Sequence, residues 1–256
     1  MIRSLYTAVS GMIAMENKQN TVTNNMANAN TTGYKRENLA TKSFKDVLVE
    51  NKDKILGNNN VTQKLGKMSL GVAIDTVDTA FTQGDLKQTE NIGDFAIDGR
   101  GFFAIQTPQG VKYTRDGQFR VNNNGNLVNN SGDLVLGINN RTGAVEPINV
   151  GKGDYTIDDY NNVNVNGVSN YKLAIADFQD YSKLGKAGDN YYTGENAVYV
   201  NNATVRQGFL ETSNVNIMNE MVDMISTMRS FETNQKFVSM IDESLGKAAN
   251  NIGSVR

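Results

Sequence analysis

From residue 217 to residue 252 one set of positions recurs at alternating steps of four and three. These are Ile217, Met221, Met224, Met228, Phe231, Gln235, Val238, Asp242, Leu245, Ala249 and Ile252. This is an a/d heptad seam about five heptads long on a stretch without proline, and it predicts one long α-helix. Met218, Val222 and Ile225 add a second apolar flank, so the helix carries more apolar surface than one neighbour can cover. Gln235 and Asp242 put polar groups into the seam, and Ile241 beside Asp242 leaves the register open to a slip there. Such a helix is not stable alone in water, so the fold must bring something to it. An amphipathic helix lying on a globular core is the plainer alternative.

The other end of the chain carries a matching signal. Ile2, Leu5, Tyr6, Val9, Met12 and Ile13 recur at three- and four-residue steps, which is one face of a helix. With Gly11 as its one interior glycine, this helix is expected to run to about Asn28, its polar second half carrying Val22 and Met26. Then the composition changes. "NNMANANTTGYKR", Asn24 to Arg36, concentrates turn-forming residues, and "NKDKILGNNNVTQKLGK", 51 to 67, reads as an extended arm or linker.

Between the helical ends lies a β-prone stretch. "FFAI", "VKYT", "QFRV", "GNLV" and "DLVLG" are short strand-like runs separated by "TPQG", "TRDGQ", "NNNGN", "NNSGD" and "NNRTG". Asn-Gly and Asp-Gly steps are strong hairpin markers, and their spacing suggests an antiparallel sheet, sandwich or small barrel. The expected architecture is α+β: an N-terminal helix in 1–30, a joint and extended arm in 31–70, an antiparallel all-β domain in 71–205, and a C-terminal helix in 206–256. Helices at opposite ends of a chain can pair in one coiled-coil layer only if the β domain is inserted between them.

The 256 residues include no cysteine and no histidine. Thiol nucleophiles, disulfides, Cys/His zinc sites and imidazole-dependent triads are thereby excluded. A net charge of −2 with no basic run beyond Lys35-Arg36 offers no nucleic-acid footprint. No apolar run approaches the ~18–20 residues of a membrane span. Arg3 followed by "LYTAVSGMIAM" mimics a secretion signal, but a polar insert separates it from "ANA" at Ala27 to Ala29, so no cleaved signal peptide is expected. The remaining chemical candidates are weak. "DGRG" at Asp98 to Gly101 reads as a strand-joining turn rather than a nucleotide loop. Asp158 with Asp159, and Asp75 with Asp78, read as solvated carboxylates. Ser10 has no base to activate it, and Met218, Met221, Met224 and Met228 read as packing. A binding face built on Tyr191, Tyr192 and Tyr199 is a second possibility, against their packing across neighbouring strands. No catalytic residue, cofactor or metal site is expected.

Three blocks resemble one family, the axial proteins of the bacterial flagellum, meaning the basal-body rod and hook proteins. The first follows the form Asn-aliphatic-Ala-Asn-x-x-Thr-x-Gly-Tyr/Phe-Lys and matches at Asn25, Met26, Ala27, Asn28, Thr31, Gly33, Tyr34 and Lys35. The second runs from "FTQGDLKQTENIGDFAIDGRG" through "VKYTRDGQFRVNNNGNLV", and the third is "GFLETSNVNIMNEMVDMISTMRSFETNQKFV". Length and central block are most similar to the distal-rod branch, with the proximal-rod branch next; hook members usually carry a further domain. The arm after Tyr34 departs from the distal-rod pattern.

The resemblance implies a self-assembling tube in the flagellar basal body, with terminal helices lining a channel and the β domain outside. It also implies partners: copies of the same chain, other rod and hook proteins, and the flagellar type III export apparatus. Within this picture "NNMANANTTGYKR" reads as a joint. Gly33 takes a positive φ, Tyr34 anchors the arm, and Lys35-Arg36 sit at the negative end of the helix. Replacing Gly33 should then spare the isolated β domain.

Overall fold

The computed structural model describes residues 2–51, 55–56, 59–60, 63–151, 153, 155–158, 160–188, 190–199 and 203–253. Helix α1 spans Ile2–Ala27 and helix α2 spans Ile217–Gly253, with strands between them. The chain is α+β and divides into two units. One gathers residues up to 26, 37–78 and from 216 onward; the other holds 27–36 and 79–215. Among the described residues no helix is long and apolar enough to cross a membrane.

In the helical unit α2 turns an a/d seam inward, but not the one that counting apolar residues selects. Glu220 and Thr227 are buried, and Met224, Phe231, Asn234, Val238, Ile241, Leu245 and Ala248 are less exposed than their neighbours. These positions alternate in steps of four and three. They share Met224, Phe231, Val238 and Leu245 with the expected seam. At the alternate positions the preceding residue replaces the expected one, so Met221 and Met228 stand exposed; Ile217, at the start of α2, is exposed as well. The reason is that a paired polar group is a better interior residue than an apolar count allows. Glu220 faces inward because its Oε2 accepts from Asn25 Nδ2 at 3.1 Å.

On α1, Ala14 and Val22 are buried and Leu5 and Met12 half-buried, whereas Tyr6, Val9 and Ile13 are exposed. The side chains of Ile2 and Ile252 lie outside the described residues. Each helix thus keeps a second apolar row unburied: Tyr6, Val9 and Ile13 on α1; Ile217, Met218, Met221, Val222, Ile225 and Met228 on α2.

The expected arm is folded into a ribbon. Glu37–Ser43 pairs with Val72–Thr79, and beyond it Val47–Asn51 pairs antiparallel with Gln63–Met68. The strand Val72–Thr79 thereby goes with the ribbon, although the sequence reading gave it to the β domain. These strands mix polar residues with exposed apolar ones such as Val47, Leu48, Leu65, Ile74 and Val77 and have no Asn-Gly turn, so the alternation that marks a half-buried strand is absent. Two contacts hold the ribbon base to α1: Thr7 Oγ1 donates to Leu70 O at 3.0 Å, and Val72 N donates to Ser10 Oγ at 3.3 Å.

The β unit is built on one antiparallel sheet whose central strand, Phe102–Thr107, pairs with Gly110–Thr114 on one side and Leu134–Asn139 on the other. Its side chains alternate between two cores. Phe103 and Ile105 join Phe95, Phe119, Leu127, Val135 and Ile175, while Phe102 and Ala104 join Tyr113, Leu136, Phe178 and Tyr192. Burial on both faces makes "FFAI" a continuous apolar run rather than an alternating one. Pro108-Gln109, Asn124-Gly125, Ser131-Gly132 and Thr142-Gly143 all turn hairpins. Asp116-Gly117 does not: the strands on either side pair elsewhere. Gly117 instead packs so close to Phe95 that no side chain fits.

The expected C-terminal helix begins late. Thr204–Gln207 pairs with Phe95–Asp98, and Phe209–Glu211 with Leu86–Gln88, before Asn216 caps α2 by accepting from Asn219 N at 3.2 Å. The chain therefore enters and leaves the β unit through neighbouring strands.

Phe103→Ala empties a fully buried site and should cost about 3–5 kcal/mol, whereas the exposed Gln106→Ala in the same strand should cost less than about 0.5 kcal/mol. Urea unfolding of the full chain, followed by the tyrosine signal, measures both.

Candidate functional site

The segment after α1 is densely hydrogen-bonded. Thr31 N donates to Asn28 O at 3.2 Å and Tyr34 N to Thr31 O at 3.3 Å, which turns the chain sharply. Gly33 has φ 65°, and its amide donates to Glu211 O at 2.8 Å. A Cβ on Gly33 would lie 2.5 Å from the backbone of Arg115 and Asp116, so both the conformation and the space require glycine. Thr32 completes the seat: its Oγ1 donates to Asp116 Oδ1 and its carbonyl accepts from Asn190 Nδ2, each at 2.8 Å. Burial pushes the Asp116 carboxyl above the usual aspartate range, against the hydrogen bonds from Thr32 and Gln118. Tyr34 is buried, with Lys186 Nζ 4.7 Å above its ring.

Lys35 then enters the interior. Its Nζ pairs with Glu211 Oε1 and donates to Thr82 O at 2.8 Å. Glu211 Oε2 accepts from Arg115 at 3.2 Å, and Oε1 also accepts from Gly84 N at 3.0 Å. Arg115 spends a further donor on Gly99 O at 2.8 Å and lies over the ring of Phe102. The side chains of Lys35 and Glu211 are 0% exposed and that of Arg115 is 3%. One carboxylate thus faces two cations out of water. Burial lowers the proton affinity of Lys35, Glu211 counteracts this, and Arg115 adds to it. Beside the cluster, Asn214 accepts from Arg36 N at 2.7 Å and donates to Ala80 O at 2.7 Å.

This arrangement corrects the reading of Lys35 as a charge at the end of α1. The last turn of α1 holds no basic residue, and the lysine is committed to a buried ion pair. Gly33, Tyr34, Lys35 and Thr31 all lie in the β unit. Asn25, still on α1, exchanges two hydrogen bonds with the backbone of Glu37: Nδ2 to O at 2.8 Å and N to Oδ1 at 3.0 Å. Met26 and Asn28 are half-buried and Ala27 is exposed.

Sequence reasoning assigned no role to Glu211, Arg115 or Asn214. Each sat inside a block singled out for its resemblance, but nothing local tells that a glutamate after "GFL" or an arginine before Asp-Gly is buried.

The other candidates separate. Tyr191 and Tyr192 are buried, and Tyr191 donates to Asp133 Oδ2 at 2.7 Å, so they build no exposed binding face. Asp158 accepts from the backbone amides of Tyr160 and Asn162, at 3.0 and 2.8 Å. Slight burial opposes these bonds, but they hold its carboxyl below the usual range. Asp159 lies outside the described residues. Asp75 pairs with Lys42, and Asp78 accepts from Thr76.

A β unit that grips both chain stems by buried charge, with long helices bearing exposed apolar rows, defines a structural subunit. The three blocks match three family models: flagella basal body rod protein over residues 5–35, flagellar hook protein FlgE/F/G D1 domain over 96–168, and flagellar basal body rod FlgEFG protein C-terminal over 206–252. Lys35, Arg115 and Glu211 fall one in each.

The chain is 32% identical to the flagellar basal-body rod protein FlgG of Bacillus subtilis, covering 98% of this chain and 99% of the relative. It is 32% identical to FlgG of Buchnera aphidicola from Schizaphis graminum, over 96% and 98%. It is 30% identical to the rod protein FlgF of Caulobacter vibrioides, over the full length of both. The chain belongs to the flagellar basal-body rod protein family. It is a structural rod protein of the basal body.

Two outcomes follow from the cluster. Glu211→Gln leaves two buried cations without a counter-charge and should cost about 3–5 kcal/mol, whereas Lys35→Met keeps the Glu211–Arg115 pair and should cost no more than about 2 kcal/mol. Gly33→Val should destabilise the β unit itself by at least about 2 kcal/mol, because its Cβ meets that unit's backbone. Urea titrations of the three variants test these orderings; a Gly33→Val protein with unchanged stability would contradict the second.

Proposed function

We propose that the chain forms the distal segment of the rod by polymerising into a hollow helical tube that transmits torque. In this tube α1 and α2 pair in an inner coiled-coil layer around the export channel. The β unit of 27–36 and 79–215 stands outside. The observation that carries this reading is the second apolar row left exposed on each helix, a surface that the same rows of other copies would cover. The FlgG relatives, matched end to end, support the distal position, and the FlgF relative supports a paralogous rod segment as the second reading. The motif Asn25, Met26, Ala27, Asn28, Thr31, Gly33, Tyr34 and Lys35 acts as the joint that orients the helices. The partners are further copies, neighbouring rod and hook proteins, and the type III export apparatus.

Electron microscopy of cells lacking the chain should reveal basal bodies with a shortened rod and no hook. A complete rod in those cells would overturn the reading. Limited proteolysis of dilute protein should trim α1 and α2, whose outward rows lack partners, and leave a fragment near 27–215. Termini as resistant as that fragment would count against assembly by the helices.

A further inference from the structure

Within the helical unit the two helices meet through polar residues at heptad intervals. Asn25 of α1 sits against Glu220 of α2, and Gly11 sits against Asn234. Glu220 to Asn234 is fourteen residues forward, and Asn25 to Gly11 is fourteen residues back. The helices are therefore antiparallel in one register across two heptads. The same register continues outward, where Ser4, Ala8, Phe237 and Ile241 line one groove.

Both contacts are demanding. The Asn25 amide cannot turn over, because its Oδ1 accepts from Glu37 N. Its Nδ2 must then donate, to Glu37 O and to Glu220 Oε2, so the facing residue of α2 has to be an acceptor. At the second contact a Cβ on Gly11 would lie 3.2 Å from Asn234 Nδ2. Glycine disfavours a helix interior yet leaves room there for an amide. A slip of one heptad that brings Ser230 opposite Ala8 would place Thr227 opposite Gly11 and Glu220 opposite Lys18, and would leave Asn25 facing residue 213, before α2 begins. The apolar positions would fit almost as well as before, since they repeat every heptad.

We infer that Asn25–Glu220 and Gly11–Asn234 are the register-specifying layers of the terminal helix pair, and that the apolar seam alone does not select its alignment. A buried polar residue that fixes alignment at some cost in stability is an established device of paired helices. This inference rests on the coiled-coil layer proposed above.

The chain has no cysteine, so engineered pairs report the register directly. Ala8→Cys with Phe237→Cys reports the observed register, and Ala8→Cys with Ser230→Cys a slip of one heptad. Position 230 is displaced by roughly 10 Å along the helix, beyond the reach of a disulfide to position 8 in the observed register. Each pair is introduced into the full chain in cells. Basal bodies are isolated and oxidised, and intramolecular cross-links are read as faster-migrating bands.

In the otherwise unchanged chain the 8–237 pair should form, with the 8–230 pair about tenfold weaker or less. Adding Glu220→Leu and Asn234→Leu should raise the 8–230 product to within about threefold of the 8–237 product, whereas Glu220→Gln, which keeps an acceptor, should leave the ratio unchanged. If 8–237 forms in every background and 8–230 in none, the register inference alone fails. If 8–237 is silent in the unchanged chain, the coiled-coil reading fails as well.

Discussion

The Lys35–Glu211–Arg115 cluster is the interaction on which the rest depends. Residues 33–36 lead the chain away from α1, and residues 211–214 lead it toward α2. The two stems are joined through one residue, Glu211: Lys35 bonds its carboxylate at Oε1, and the Gly33 amide donates to its backbone carbonyl. Charges this well buried contribute little net stability against an apolar core of the same shape. What they add is position. A buried carboxylate held by three donors, Lys35, Gly84 N and Arg115, tolerates one placement of the stems, and a hydrophobic patch would tolerate several. A subunit that must present two long helices in a fixed relation has a use for that property.

The helical unit repeats the principle in milder form. Its inward positions carry Glu220, Thr227 and Asn234 among Met224, Phe231 and Val238, while fully apolar positions such as Met218 and Ile225 face outward. For an isolated globule this is inverted. For a member of the rod family the proposed assembly makes it coherent: the outward rows would meet other copies, and the polar positions would distinguish one alignment from another. The ribbon of 37–79 fits the same picture. A two-stranded ribbon is marginal by itself, and its base is tied to α1 through Thr7 and Ser10.

Much of this was legible from residues alone, because the signals are local. Helical periodicity marked both ends, Asn-Gly and Ser-Gly steps marked true hairpins, and Gly33 was assigned its positive φ from the turn chemistry around it. The failures share a cause. Asp116-Gly117 looks like a hairpin turn until Phe95 is seen to lie against it. Lys35 looks like a helix-end charge until Glu211, 176 residues away, is brought to it. The heptad seam was found but placed one residue late at its alternate positions, since counting apolar residues rejects a glutamate that has a partner.

The sequence by itself determined the order of elements, the inserted β domain, the absence of thiol and imidazole chemistry and the family resemblance. Each of these is encoded in composition or in spacings of a few residues. Tertiary structure alone decided which charges are interior, which face of each helix turns inward, and that Thr31, Gly33, Tyr34 and Lys35 of the joint motif belong to the β unit. Those outcomes depend on pairings across more than a hundred residues, where the energy of burying a polar group is set by a partner that no local pattern identifies.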